Sequence, residues 1–189
     1  MTALPTPAPY ATRIVDDAMP GFAELQARVL APGFPWYYAR ATRETDGAAN
    51  PYLAGWVHLV YDHGKWYSQD AQFITGKIIE AFQAIEEPAE TVFRIRIVLN
   101  AVSDQPYLNG PHVDFVWPHK TALLYLNDAD GDTVIYEERW REGYGGPYTV
   151  AQAIAPKAGR MALFEGLRFH TGTTPTKTAR RVVLNVNYE

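Results

Sequence analysis

The sequence predicts an α+β fold that is mainly β: a double-stranded β-helix (jelly roll) with N-terminal helices packed on one sheet. Three observations predict it. Fourteen prolines and fourteen glycines in 189 residues, with 13% aromatic residues, lean towards a chain of many turns and short strands. Apolar residues recur at helical spacing only in the first half, whereas from Val92 onwards they alternate with a period of two. Two helices followed by about eight short strands suit a pair of stacked sheets with the helices on one of them.

The length suits one domain, residues 1–189. Residues 1–10 alternate proline with small residues and are expected to form a flexible arm. Residues 11–90 are expected to form a helical support region and 91–189 the jelly-roll core that carries the functional site. Within the support region, Arg13-Ile14-Val15-Asp16 reads as a short strand. Pro20 followed by Phe22, Leu25, Val29 and Leu30 reads as a helix that stops before Pro32-Gly33. Phe34 to Arg40 is strand-like, Thr42 to about Pro51 is a polar loop, and Trp56 to Tyr61 is another strand. Ser68 can cap a second helix reaching Glu87, in which Ile74, Ile78, Ala81, Phe82 and Ile85 make a core stripe. The remaining strands are expected at 91–102, 112–117, 120–127, 132–137, 149–155, 160–165, 168–171 and 180–188. Asp130-Gly131-Asp132, Gly143 to Pro147 and Pro156 to Gly159 mark turns between them.

Charge and cysteine content remove several functions. A formal net charge of −4 gives no basic face for a polyphosphate, so nucleic acid is a poor partner. With no cysteine, disulfides, thiolate metal sites and Cys nucleophiles are excluded, and any metal must be held by nitrogen and oxygen. The N-terminus has neither a basic nor an apolar leader region, and no run is long enough to span a bilayer. No membrane partner is expected, and a cytoplasmic location is the default reading.

The chemistry is concentrated in Gly110-Pro111-His112-Val113-Asp114-Phe115. Side chains at i and i+2 of a strand leave the same face, so His112 and Asp114 can point at one metal ion. The best third ligand is His170. Two histidines and a carboxylate on one face are the ligand set of non-haem Fe(II) oxygenases. A co-substrate with two carboxylates would need a cation deeper in the barrel, and Arg180 and Arg181 stand ten and eleven positions beyond His170. A guanidinium meets a carboxylate through two parallel hydrogen bonds. By contrast His58, His63 and His119 read as structural, while Phe115 and Trp117, just after the ligands, are candidates to face a substrate.

Four ordered segments carry a resemblance: PHVDF at 111–115, TALLYLNDADGDT at 121–133, PKAGRMALFEGLRFH at 156–170 and RRVVLNVNYE at 180–189. Over roughly residues 92–189 the chain resembles the Fe(II)/2-oxoglutarate-dependent dioxygenases, specifically their prolyl 4-hydroxylase-like branch. The resemblance implies that His112, Asp114 and His170 are the iron ligands and that Arg181, in preference to Arg180, anchors the distal carboxylate of 2-oxoglutarate. It would put Val183 and Asn185 on the same inward face, with Val182, Leu184 and Val186 packing between layers. Tyr125 would present its hydroxyl to the same carboxylate. The chain departs from the family in two places. Gly131-Asp132 stands where a Gly-Gly pair is common, and the tyrosine that often precedes HxD has no clear counterpart, Asn100 and Tyr107 being the nearest.

The activity so implied is hydroxylation of an unactivated C–H bond with release of succinate and CO2, using Fe(II), 2-oxoglutarate and O2, with ascorbate as a supporting reductant. A prolyl residue of a peptide or protein is the first substrate class and a free amino acid the second. Two alternatives use the same strands: a cupin-type metal oxygenase or isomerase without 2-oxoglutarate, and a catalytically silent jelly-roll binding module.

Overall fold

The computed structural model describes residues 11–39 and 55–189; the expected N-terminal arm, Arg40 and the polar loop from Thr42 to Pro51 lie outside the described residues. The described elements are β1 (Arg13–Val15), α1 (Phe22–Leu30), β2 (Tyr37–Ala39), β3 (Gly55–Asp62), β4 (Lys65–Trp66), α2 (Ala71–Ala84) and β5 (Val92–Ala101). They continue as β6 (Lys120–Tyr125), β7 (Thr133–Arg139), β8 (Val150–Ile154), β9 (Met161–Glu165), β10 (Arg168–Gly172) and β11 (Arg180–Tyr188). A major sheet runs in the order β1-β9-β6-β11-β5-β3-β2, with β4 paired to β3, and a minor sheet runs β10-β7-β8. Residues 11–90 thus contribute strands to both halves of the major sheet as well as two helices.

Periodicity explains the layers. Leu25 and Val29 of α1 and Ile74, Ile78, Ala81 and Phe82 of α2 form apolar stripes at helical spacing. They bury against every second residue of the sheet: Ile95 and Ile97 on β5, Ala122 and Leu124 on β6, and Val182, Leu184 and Val186 on β11. The other face of the sheet closes on the minor sheet through Leu123, Tyr125, Ala162, Phe164, Val183, Ile135 and Ile154. Strand β11 therefore divides its side chains by parity. The even-numbered ones enter the helical core, and Arg181, Val183, Asn185 and Asn187 face the space between the sheets.

The jelly roll with helices on one sheet agrees with the expectation from the sequence, and three local readings are corrected. Residues 112–117 are not a strand. Only His112 makes a bridge, to His170, and the rest of the segment is held by side chains: Asp114 by its polar contacts, Val113 against Tyr136 and Phe169, and Phe115 by its ring contacts. The second helix begins at Ala71 and ends at Ala84, inside the expected Ser68 to Glu87. Ser68 Oγ instead accepts the N–H of Asp70 and pairs with His58 Nε2, so its capping oxygen is spent one residue before the helix. Of Phe34 to Arg40, only Tyr37–Ala39 is strand among the described residues. No described helix is long and apolar enough to cross a membrane.

Candidate active site

The site is assembled from both sheets and the long β5–β6 connection. His170 stands on β10, and His112 crosses to it with reciprocal backbone hydrogen bonds of 2.9 and 2.8 Å. The two imidazole rings lie 4.6 Å apart. Asp114 Oδ2 is 3.8 Å from His170 Nε2, and ligand atoms of all three residues fall within 4.8 Å of one another. Two bonds of about 2 Å span about 4 Å, so small ring rotations bring the three onto one ion. Each histidine has its Nδ1 beside a backbone carbonyl, of Gly110 at 3.1 Å and of Arg168 at 3.2 Å. With Nδ1–H donating there, Nε2 is the lone-pair nitrogen that a metal needs.

Asp114 is held with unusual completeness. Its side chain is 2% exposed. Oδ1 accepts from Arg94 and Arg96, both at 2.7 Å, and Oδ2 from the amides of Asn185 at 3.0 Å and Asn187 at 2.9 Å. Burial alone would raise its pKa, but the charges of Arg96, His170, Arg94 and His112 outweigh burial and hold it well below the usual carboxylate range. The carboxylate is ionised, as a metal ligand must be. An ion approaching from the His170 side meets Oδ2, which it would share with the asparagine amides.

From these residues a cavity opens between the sheets, with about 550 Å³ of atom-free space that includes its open mouth. Its walls include His112, His170, Arg96, Asn109, Thr133, Arg181 and Asn185. Arg181 is 5% exposed. One terminal nitrogen donates to Thr133 Oγ1 at 2.6 Å, and the hydroxyl of Tyr125 donates to the same oxygen at 2.7 Å. Burial pushes the arginine's pKa down, while Tyr125 and Asp132 act in the other direction. Its guanidinium lies against Gly172, where an added Cβ would stand 3.3 Å from Nη1. His170 and Gly172 are i and i+2 on β10, about 7 Å apart along the strand. The buried cation and the histidine ligand thus face the same space.

Buried polar atoms without a hydrogen-bond partner concentrate here. Seven occur among the described residues, and four belong to residues lining this cavity: Arg96 Nε, Arg181 Nε, Asn109 Oδ1 and Asn185 Oδ1. Such groups cost about 1–3 kcal/mol each when left unmatched. The two guanidinium Nε–H groups are donors that a ligand with anionic oxygens would match, whereas the two amide oxygens are acceptors and call for a donor.

The remaining expected site residues separate. Arg180 is exposed and lines no part of the cavity; its carbonyl accepts a hydrogen bond from Asn127. Tyr125 is fully buried one step behind Thr133. Of the two candidates upstream of HxD, Asn100 lines the cavity and Tyr107 does not. Phe115 and Trp117 stack with centroids 4.5 Å apart, Trp117 being 41% exposed. His58 is buried between Pro35 O and Ser68 Oγ, His63 pairs with Asp62 on a turn, and His119 is buried with Nδ1 on the carbonyl of Trp117. Reading the sequence missed Arg94, Arg96, Asn109, Thr133 and Asn187. A signal existed for the first two, because they occupy the face of β5 opposite Ile95 and Ile97, and two arginines on one strand face of a β-rich core call for an anion.

No protein-family model matches the chain, and no curated protein sequence matches it. Solved structures do match. An oxidoreductase of the 2OG-Fe(II) oxygenase family from Burkholderia pseudomallei superimposes with a TM-score of 0.65 at 16% identity, over 94% of this chain and 84% of that one. The prolyl-4-hydroxylase of Pseudomonas putida gives 0.55 at 14% identity, over 94% and 92%. The epimerase SnoN from nogalamycin biosynthesis, in complex with Fe3+, alpha-ketoglutarate and nogalamycin RO, gives 0.60 at 14% identity, over 94% and 78%. The chain has the fold of the 2OG-Fe(II) oxygenases. Within that fold it presents a His-Asp-His cluster able to hold a metal ion.

Proposed function

We propose that this protein is an Fe(II)/2-oxoglutarate-dependent dioxygenase that hydroxylates an unactivated C–H bond. The observation that carries the proposal is the buried Arg181, with an unmatched Nε, facing the same cavity as His112 and His170, the two histidines that cluster with Asp114. A buried guanidinium without a carboxylate partner is costly unless an anionic ligand completes it. The donor set fits Fe(II), offering two imidazoles and one ionised carboxylate with the remaining positions turned to the cavity. Bound iron would couple O2 activation to conversion of 2-oxoglutarate into succinate and CO2.

The chain's own residues position the reactants. Arg181 would hold the distal carboxylate in a forked pair. Thr133 Oγ1 already accepts from both Arg181 and Tyr125, so its own O–H is left to donate into the cavity it lines. Tyr125 would therefore act through Thr133 rather than touch the carboxylate. The imidazoles and Asp114 would hold the metal, and the apolar Leu123 and Val183 would limit water between the two ends. The stacked Phe115 and Trp117 offer an aromatic face beside HxD for a prolyl residue of a peptide or protein, the first substrate class, with a free amino acid second.

The test is succinate release by purified protein under Fe(II), ascorbate and O2 with pools of peptides and amino acids, beside anaerobic 2-oxoglutarate titration. Turnover dependent on a pool member supports the reading. Absence of both turnover and 2-oxoglutarate binding would overturn it.

A further inference from the structure

The metal end of the cavity carries a second guanidinium. Arg96 is directly cross-strand from Asn185, just as Arg181 is from Asn100, so the two arginines lie on the same face four residues apart along the sheet. Both line the cavity, and no aspartate or glutamate does. Arg96 spends one terminal nitrogen on Asp114 Oδ1, while its Nε is buried with no acceptor. Arg94 differs. It also reaches Asp114, but its Nε and Nη2 are satisfied by Asn187 Oδ1 and it is absent from the cavity wall. Two cations facing one space, one at each end, are the complement of a ligand with two anionic ends.

Resting on the reading above, we propose that Arg96 is a second carboxylate-binding residue, and that the cavity grips a five-carbon dicarboxylate at both ends through protein groups alone. Arg181 takes one carboxylate and Arg96 the other, on the His170 side of the cavity. The diacid then binds before the metal and without it. A site with a single arginine would depend on the metal for the second hold.

Calorimetric titration of chelator-treated full-length protein with glutarate, 2-oxoglutarate and the monocarboxylate pentanoate tests this, followed by repetition in Mn(II). Both diacids are expected to bind the metal-free protein, with pentanoate at least tenfold weaker. Arg96→Gln should weaken the diacids at least tenfold and leave pentanoate unchanged. Arg96→Lys keeps the charge without the fork and should fall between. Circular dichroism checks that each variant is folded; should the glutamine variant unfold, the lysine variant carries the comparison. Diacid binding seen only after Mn(II) is added would overturn the inference while leaving the proposed function standing, as would an unchanged affinity in a folded Arg96 variant. No 2-oxoglutarate binding in either state would overturn both.

Discussion

At the scale of single residues, Arg181 can be separated from the metal ligands. Arg181→Ala removes a buried cation whose contacts include Thr133, the Tyr125 ring and the wall at Gly172, none of them a candidate metal ligand. Anaerobic titration is expected to show 2-oxoglutarate affinity falling by at least a hundredfold, on the order of 3 kcal/mol for a forked charged pair. Mn(II) affinity, followed by electron paramagnetic resonance, should change by less than threefold. Asp114→Ala should do the reverse and more. It removes a metal ligand and leaves Arg94 and Arg96 facing each other without their shared carboxylate. Breaking a buried pair in this way costs about 3 kcal/mol, so a denaturant melt should report lower stability beside lost Mn(II) binding. Gly131 shows why one glycine of the turn suffices. An added Cβ would stand 2.3 Å from Thr173 O, so the backbone approach forbids a side chain there, whereas Asp132 next to it is only half-buried.

At the scale of elements, period and parity were legible and cross-chain pairing was not. The alternation in Ile95 to Leu99 and in Val182 to Val186 correctly reports which residues enter the helical core, because a strand with one apolar face has a single register that buries it; Phe93 breaks the pattern and meets Phe115 instead. The His112 to Trp117 segment misled because it is apolar and aromatic enough for a strand, while its partners are side chains from β5 and β11 that local propensity cannot see. Arg94 and Arg96 were legible as a strand face yet silent about what they face. The short β1 is likewise defined by distant partners. Asp16, at its end, pairs with Arg160 and Lys157 near the start of β9, and first Arg160 and then Lys157 hold its carboxyl far below the ordinary value. A depressed carboxylate stabilises above the unfolded pKa and loses that contribution as pH falls through the folded value. Asp16→Asn should therefore melt below the wild type at pH 6, the gap closing as both are acidified below pH 4.

At the scale of the whole molecule, stability is lodged in the helical layer and ligand demand in the space between sheets. Ile78 of α2 is 2% exposed within the larger core. Ile78→Ala should cost about 2–5 kcal/mol by urea denaturation. Its 2-oxoglutarate affinity is expected to stay within twofold, since the cavity walls are drawn from residues other than those of α2. Conversely, a ligand that binds only the folded state stabilises by mass action. 2-Oxoglutarate at a hundred times its dissociation constant should add about 2.7 kcal/mol to unfolding, read as a rise in melting temperature that Arg181→Ala abolishes.

Strand β11 is both floor of the cavity and roof of the core, Arg181, Val183 and Asn185 serving one and its even positions the other. Inheritance of new specificity is thereby uncoupled from inheritance of fold within nine consecutive residues. A mutational library restricted to positions 181, 183 and 185 would sample ligand chemistry, whereas the same library moved over by one position would sample only ways of coming apart.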